Sequence, residues 1–246
     1  MDIYSFETKN CAFQIFIVKP VYIQYTFPWL MGGYTIHNLI YLHGFASSPA
    51  STKANKIAQF FKNKGINIYI PDLNCGDFTN VTLSKMLERI NQEIEMIDGK
   101  FIMIGPSMGG YLSALYVERN TRLPERLLML APGFDLSTLF SKWLSEYGIN
   151  KWKKEGFFSF FHYSYNREIP LLYKFYEDLM RYNPYPYIKG LRAHIIHGMR
   201  DDIVPLNVSK EFQKINPQTT VEIVDDTHEL SNSIDIILEQ IDGLLK

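Results

Sequence analysis

The chain has 246 residues, 46% of them hydrophobic and 21% charged, with a formal net charge of −1 at pH 7. That make-up fits one large globular domain whose core needs neither disulfide nor metal. The balanced charge marks out no nucleic acid or anionic membrane as a partner. The two distant cysteines, Cys11 and Cys75, form no disulfide framework or zinc spacing, and suit a reducing cytoplasm.

Residues 1–34 read differently from the rest. They are aromatic and β-branched and end in Met31-Gly32-Gly33. Either they add an edge strand or hairpin, or they form a loosely attached extension, with Met31 as an alternative start. The apolar run Cys11–Val18 stops at Lys19-Pro20, far short of the ~20 residues a span needs. It also lacks the flanks of a signal peptide, so no stable membrane insertion is expected. From about residue 35 the pattern alternates: a strand over Ile36–Leu42, a helix over Ser51–Lys64, a strand over Ile66–Ile70 and a helix over Thr82–Ile97. A strand over Phe101–Ile104, a helix over Met108–Arg119 and a strand over Arg126–Leu130 follow. After an aromatic-rich insertion at about 137–187 come a strand over Leu191–His197, a helix over Leu206–Ile215, a strand over Thr220–Val224 and a helix over Ser231–Leu245. Such alternation predicts an α/β domain over 35–246, with a mostly parallel sheet covered on both faces. Chemistry is then expected in the loops that follow strands.

Gly105-Pro-Ser107-Met108-Gly109 joins a strand to a helix, the arrangement of a nucleophile elbow. The glycines let strand and helix approach closely, and the serine lies at a helix N-terminus, where backbone N–H groups favour negative charge. Ser107 is therefore the candidate nucleophile; the alternative is a glycine-rich turn with a capping serine. An oxyanion needs two aimed donors. The N–H of Met108 is one, and the N–H of Phe45, just past the His43-Gly44 that follows the first strand, is the other. His43 is expected to hold that loop and to take no part in proton transfer.

A serine hydroxyl needs a base of near-neutral pKa. Of six histidines, His228 alone lies between a late strand and the final helix, and it is the candidate base. His194 and His197 read as structural. His162 is either a surface residue or a substrate contact. Asp201 in His197-Gly-Met-Arg-Asp201-Asp202-Ile-Val-Pro205 is the candidate acid, Asp202 a solvated neighbour and Asp135 the fallback.

Leu42-His-Gly-Phe-Ala-Ser-Ser-Pro49, Ile70-Pro-Asp-Leu-Asn74, Gly105-x-Ser-Met-Gly-Gly110, His197-Gly-x-x-Asp201 and His228 together resemble the YqiA-like small esterases of the α/β-hydrolase superfamily. The likeness runs from about Ile36 to the C-terminus. It implies the α/β-hydrolase fold, a Ser107–Asp201–His228 triad and cleavage of small carboxylic esters without cofactor or metal. The insertion is longer than a minimal member has. It is expected to form a small helical cap, with Trp143, Trp152, His162 and Tyr163 as candidate pocket residues, or else a helical pair packed on the core. Docking of this stretch on a membrane surface is a weaker third reading. A thioesterase, peptidase, carbon–carbon hydrolase or haloperoxidase could use the same triad, and a catalytically silent binding protein could keep the fold. Oligomeric state is left open.

Overall fold

The computed structural model describes residues 33–246. Both readings of the N-terminal extension, with Cys11 and Met31, fall on residues 1–32 and lie outside the described residues. The first described contacts tie the chain to its other end. The Thr35 and Ile36 N–H groups both donate to Leu245 O at 3.0 Å, and the Tyr34 hydroxyl donates to Asp242.

Six strands form the main sheet: β1 (Asn38–Tyr41), β2 (Asn67–Tyr69), β3 (Phe101–Pro106), β4 (Arg126–Leu130), β7 (Ala193–Gly198) and β8 (Thr219–Val224). Their spatial order is β2-β1-β3-β4-β7-β8, and every pair is parallel. The apolar runs of β1, β3 and β4 are buried on both sides, as a parallel sheet requires. Alternation along β3 divides the core. Ile102 and Ile104 join α1 (Thr52–Phe61) and α7 (Ile234–Leu245) on one face. Phe101 and Met103 join α2 (Leu83–Glu95), α3 (Met108–Arg119) and α6 (Leu206–Ile215) on the other. Helix α2 turns Leu83, Met86, Leu87, Ile90 and Ile94 inward, each stabilising the fold by about 1.5–3 kcal/mol through burial. The Thr82 hydroxyl caps it, accepting from the Lys85 N–H at 3.2 Å.

Within the sheet the path goes from β1 outward to β2, then returns past β1 to β3. The crevice at that reversal is where ligands bind in open α/β sheets. It is flanked by the loops after β1 and β3, which carry Phe45 and Ser107.

Between β4 and β7 lie α4 (Leu136–Glu155), a separate antiparallel hairpin of β5 (Phe157–His162) and β6 (Arg167–Leu172), and α5 (Lys174–Leu179). The insertion is helical over α4 and α5, as expected, but it also carries this two-stranded hairpin, which the expectation of a purely helical cap lacked. Gly156, at φ 81°, ends α4 in a left-handed turn. The aromatic run Phe157-Phe158-Ser159-Phe160-Phe161 then favours a pleated strand. Trp152 donates from Nε1 to Leu171 O at 2.8 Å, pinning α4 to β6.

Candidate active site

Ser107 sits at φ 50° and ψ −121°, a backbone state that costs about 1–3 kcal/mol and persists only where neighbours enforce it. Here they do. The Ser107 N–H donates to Leu130 O at 2.9 Å, and its carbonyl accepts from Gly110, Tyr111 and Gly133. The turn is closed by backbone contact. A Cβ on Gly105 would lie 2.3 Å from the Gly109 carbonyl, and one on Gly109 would lie 1.9 Å from Leu42 O. Gly44 lies beside the serine, its missing Cβ 3.6 Å from that of Ser107. Among the described residues, neither the Met108 nor the Phe45 N–H has a hydrogen-bond acceptor. Met108 is the first residue of α3, where an N–H has no intrahelical partner.

The loop after β1 is held from both sides. His43 is buried; its Nδ1–H donates to Gly44 O at 3.0 Å and its Nε2 accepts from the Leu73 N–H at 3.0 Å. Both ring nitrogens are occupied, so the ring is a brace between β1 and the chain after β2. The Phe45 ring is caged by Phe78, Phe140, Phe160 and Phe175, with centroids 5.2–5.8 Å away. Ala46 O accepts from the Tyr163 N–H at 2.9 Å. The cap thus grips the loop that carries the Phe45 N–H.

Asp201 and His228 meet. The His228 Nδ1 lies 2.8 Å from Asp201 Oδ2, and the carboxylate is fully buried while the imidazole keeps 12% of its surface. Asp201 Oδ1 accepts from the N–H groups of Ile203 (3.0 Å) and Val204 (2.8 Å). Burial pushes this carboxyl upward, but hydrogen bonds from His197, His228 and Val204 outweigh it and hold the group well below the usual carboxylate range. Asp202 is exposed. Asp135 accepts from the Ser137 hydroxyl instead.

The His228 loop lies at the carboxyl edge of the sheet. Helix α7 ends against the start of β1, so the segment between β8 and α7 crosses the carboxyl edge of the sheet from its outer strand. Glu229 acts electrostatically on Tyr41, the last residue of β1. Asp226 fixes the crossing. Its buried carboxylate accepts from the N–H groups of Thr227, Asn232 and Ser233 and from the Ser233 hydroxyl, at 2.8–2.9 Å. That capture is why α7 begins at Ile234 and not at Ser231. Gly198 lets the loops touch, since a Cβ there would lie 2.5 Å from Thr227 O.

The four pocket candidates do not come together. Trp152 is fully buried in the aromatic core. His162 is also fully buried, which overturns its reading as a surface residue. It stacks on Tyr165, meets Phe78 edge-on and faces Asn74 Oδ1 at 3.5 Å. Tyr163 is 74% exposed on the outside of the hairpin. Only Trp143 reaches the acid's loop, with Nε1 donating to Ile203 O at 3.3 Å. Among the described residues no cluster of His, Cys, Asp or Glu is arranged to hold a metal, and no helix is long and apolar enough to cross a membrane.

Residues 38–245 match the uncharacterised protein family UPF0227. The chain belongs to that family. This UPF0227 member is 26% identical over 204 residues to palmitoyl-protein thioesterase ABHD10, mitochondrial, of Pongo abelii, a match covering 76% of this chain and 64% of that protein. It thus spans under two thirds of its relative's length. Among solved structures it resembles a hydrolase from Agrobacterium vitis S4 (TM-score 0.73, 21% identity, 85% of this chain and 88% of that one). It also resembles mouse alpha/beta hydrolase domain-containing protein 10 (0.69, 19%, 86% and 90%) and Est1E from Butyrivibrio proteoclasticus (0.67, 18%, 86% and 88%). These likenesses show that the UPF0227 chain has the fold of the α/β-hydrolases. Two supports escaped sequence reasoning, Asp226 and the contact of His197 with Asp201. Asp226 had a signal in its place just ahead of His228. His197 had one in its i, i+4 spacing to Asp201.

Proposed function

We propose that the chain is a serine hydrolase that cleaves small carboxylic esters through an acyl-enzyme on Ser107. The observation that carries the reading is the buried Asp201 carboxylate, bonded to Nδ1 of a partly exposed imidazole, in a fold that also holds Ser107 in a strained strand-to-helix turn. Asp201 keeps the proton of neutral His228 on Nδ1, leaving Nε2 free to accept. His228 takes the Ser107 proton as Oγ attacks the acyl carbon. The Phe45 and Met108 N–H groups stabilise the oxyanion. His228 then protonates the leaving alcohol, and afterwards activates the water that releases the acid.

A thioester is the second reading, favoured by the match to a protein named as a palmitoyl-protein thioesterase. The same steps serve, with a thiol leaving. A cytoplasmic location belongs to this reading, with Cys75 free. The test is a panel of p-nitrophenyl esters and matched thioesters of increasing acyl length. Turnover that peaks at short chains is expected. His228→Ala should lower kcat by about 10⁴-fold or more. Near-normal turnover by that variant removes His228 as the base, and a strong preference for thioesters selects the second reading.

A further inference from the structure

Asp201 has a second imidazole neighbour. His197, on β7, is fully buried. Its Nε2 lies 2.9 Å from Val204 O and 3.2 Å from Asp201 Oδ2. Both are acceptors, so Nε2 carries a hydrogen. Its Nδ1 lies 2.8 Å from the hydroxyl of Ser209, itself fully buried on α6. Among the described residues that hydroxyl has no other partner. Were Nδ1 also protonated, the hydroxyl hydrogen would be buried and unpaired, which folded proteins avoid. Ser209 therefore donates, Nδ1 accepts, and the ring is neutral with its proton on Nε2.

We propose that Ser209 and His197 are a positioning pair for the acid. The Ser209 hydroxyl fixes the His197 tautomer, and the Nε2–H, shared between Val204 O and Asp201 Oδ2, holds that oxygen where it meets His228. The proposal rests on the Ser107–Asp201–His228 reading above.

The physical need is specific. Two backbone N–H groups anchor Oδ1 alone. A carboxylate held by one oxygen can still swing the other, and Oδ2 is the one that orients the base. The His197 N–H is the second anchor. It also draws off part of the carboxylate's charge, tempering how strongly Asp201 stabilises an imidazolium at His228. The other charged groups around the base loop are Asp226, Glu229, Lys53 of α1, which faces both, the Arg200–Asp225 pair and Asp202. The substitutions below leave all of them in place.

Ser209→Ala removes one buried oxygen and leaves the fold's packing nearly intact. It should lower kcat for a short-chain p-nitrophenyl ester about tenfold, with KM within about twofold, because misorientation of the base acts on the chemical step. Ser209→Thr keeps the hydroxyl and should restore kcat. His197→Asn removes the Nε2–H, and the acidic limb of its pH–kcat profile should move to higher pH. Nitrogen-15 spectra of the histidine rings read the tautomer directly, whether or not an ester is turned over. Wild type should show the His197 proton on Nε2 and not on Nδ1, and Ser209→Ala should show a mixture. Wild-type His197 protonated at Nδ1, or a folded Ser209→Ala variant with wild-type kcat and pH profile, would overturn the pair. If the wild type turns over no ester, the hydrolase reading falls, and the ring spectra still decide whether the pair exists.

Discussion

At the elbow, backbone meets backbone; at the cap, ring meets ring. A single added carbon on Gly109 has no room, since Leu42 O would stand 1.9 Å away. Around Phe45, by contrast, four rings meet edge-on or tilted at 5.2–5.8 Å, an arrangement that many combinations of apolar side chains can satisfy. The elbow is thus specified atom by atom and the cap by volume. The two are joined at one loop, because Phe45 follows Gly44, which lies beside Ser107, and packs its ring in the cap.

Three substitutions probe that contrast. Gly109→Ala should have the largest effect, a loss of about 4 kcal/mol or more in urea unfolding, because strand and helix must part. A loss under about 1 kcal/mol would mean the close approach is relaxed in solution. Phe45→Ala should cost about 3 kcal/mol through the cavity it leaves. It should also lower kcat, since the loop loses its grip on the cap. Equal stability loss with full turnover would uncouple ring from N–H. Asp226→Asn should cost about 1–3 kcal/mol at neutral pH. Burial raises the Asp226 carboxyl, but its four hydrogen bonds hold it below its ordinary value. The stability it lends is therefore complete above the unfolded carboxylate range and is lost as pH falls through the lowered folded value. Melting temperatures taken from about pH 3 to pH 5 should rise more steeply for wild type than for Asp226→Asn. Parallel slopes would remove Asp226 as the anchor of the base loop.

The same contrast explains what could be read from residues alone. α3, β4 and α6 lie where periodicity puts them, and the elbow was legible because only glycine permits such approach. The contact of Asp201 with His228 was legible through their order and their places after β7 and β8. The cap was not. Its aromatic composition announced a packed layer, but nothing local announced the hairpin between its two helices. That depended on Gly156 ending α4 and on rings from five separate segments finding one another. Trp152 and His162 were misassigned for that reason. An aromatic or imidazole in an insertion looks like pocket lining until its neighbours are known, and both proved to be interior. His197 was read as merely structural because its contact with Asp201 depends on the turn after β7 folding back.

The central claim is that Ser107 is an activated nucleophile, and covalent labelling tests it most directly. A fluorophosphonate probe followed by peptide mass analysis should modify wild type once, at Ser107, and should leave Ser107→Ala unlabelled. An unlabelled wild type, or a Ser107→Ala variant labelled as strongly as wild type, would contradict the account.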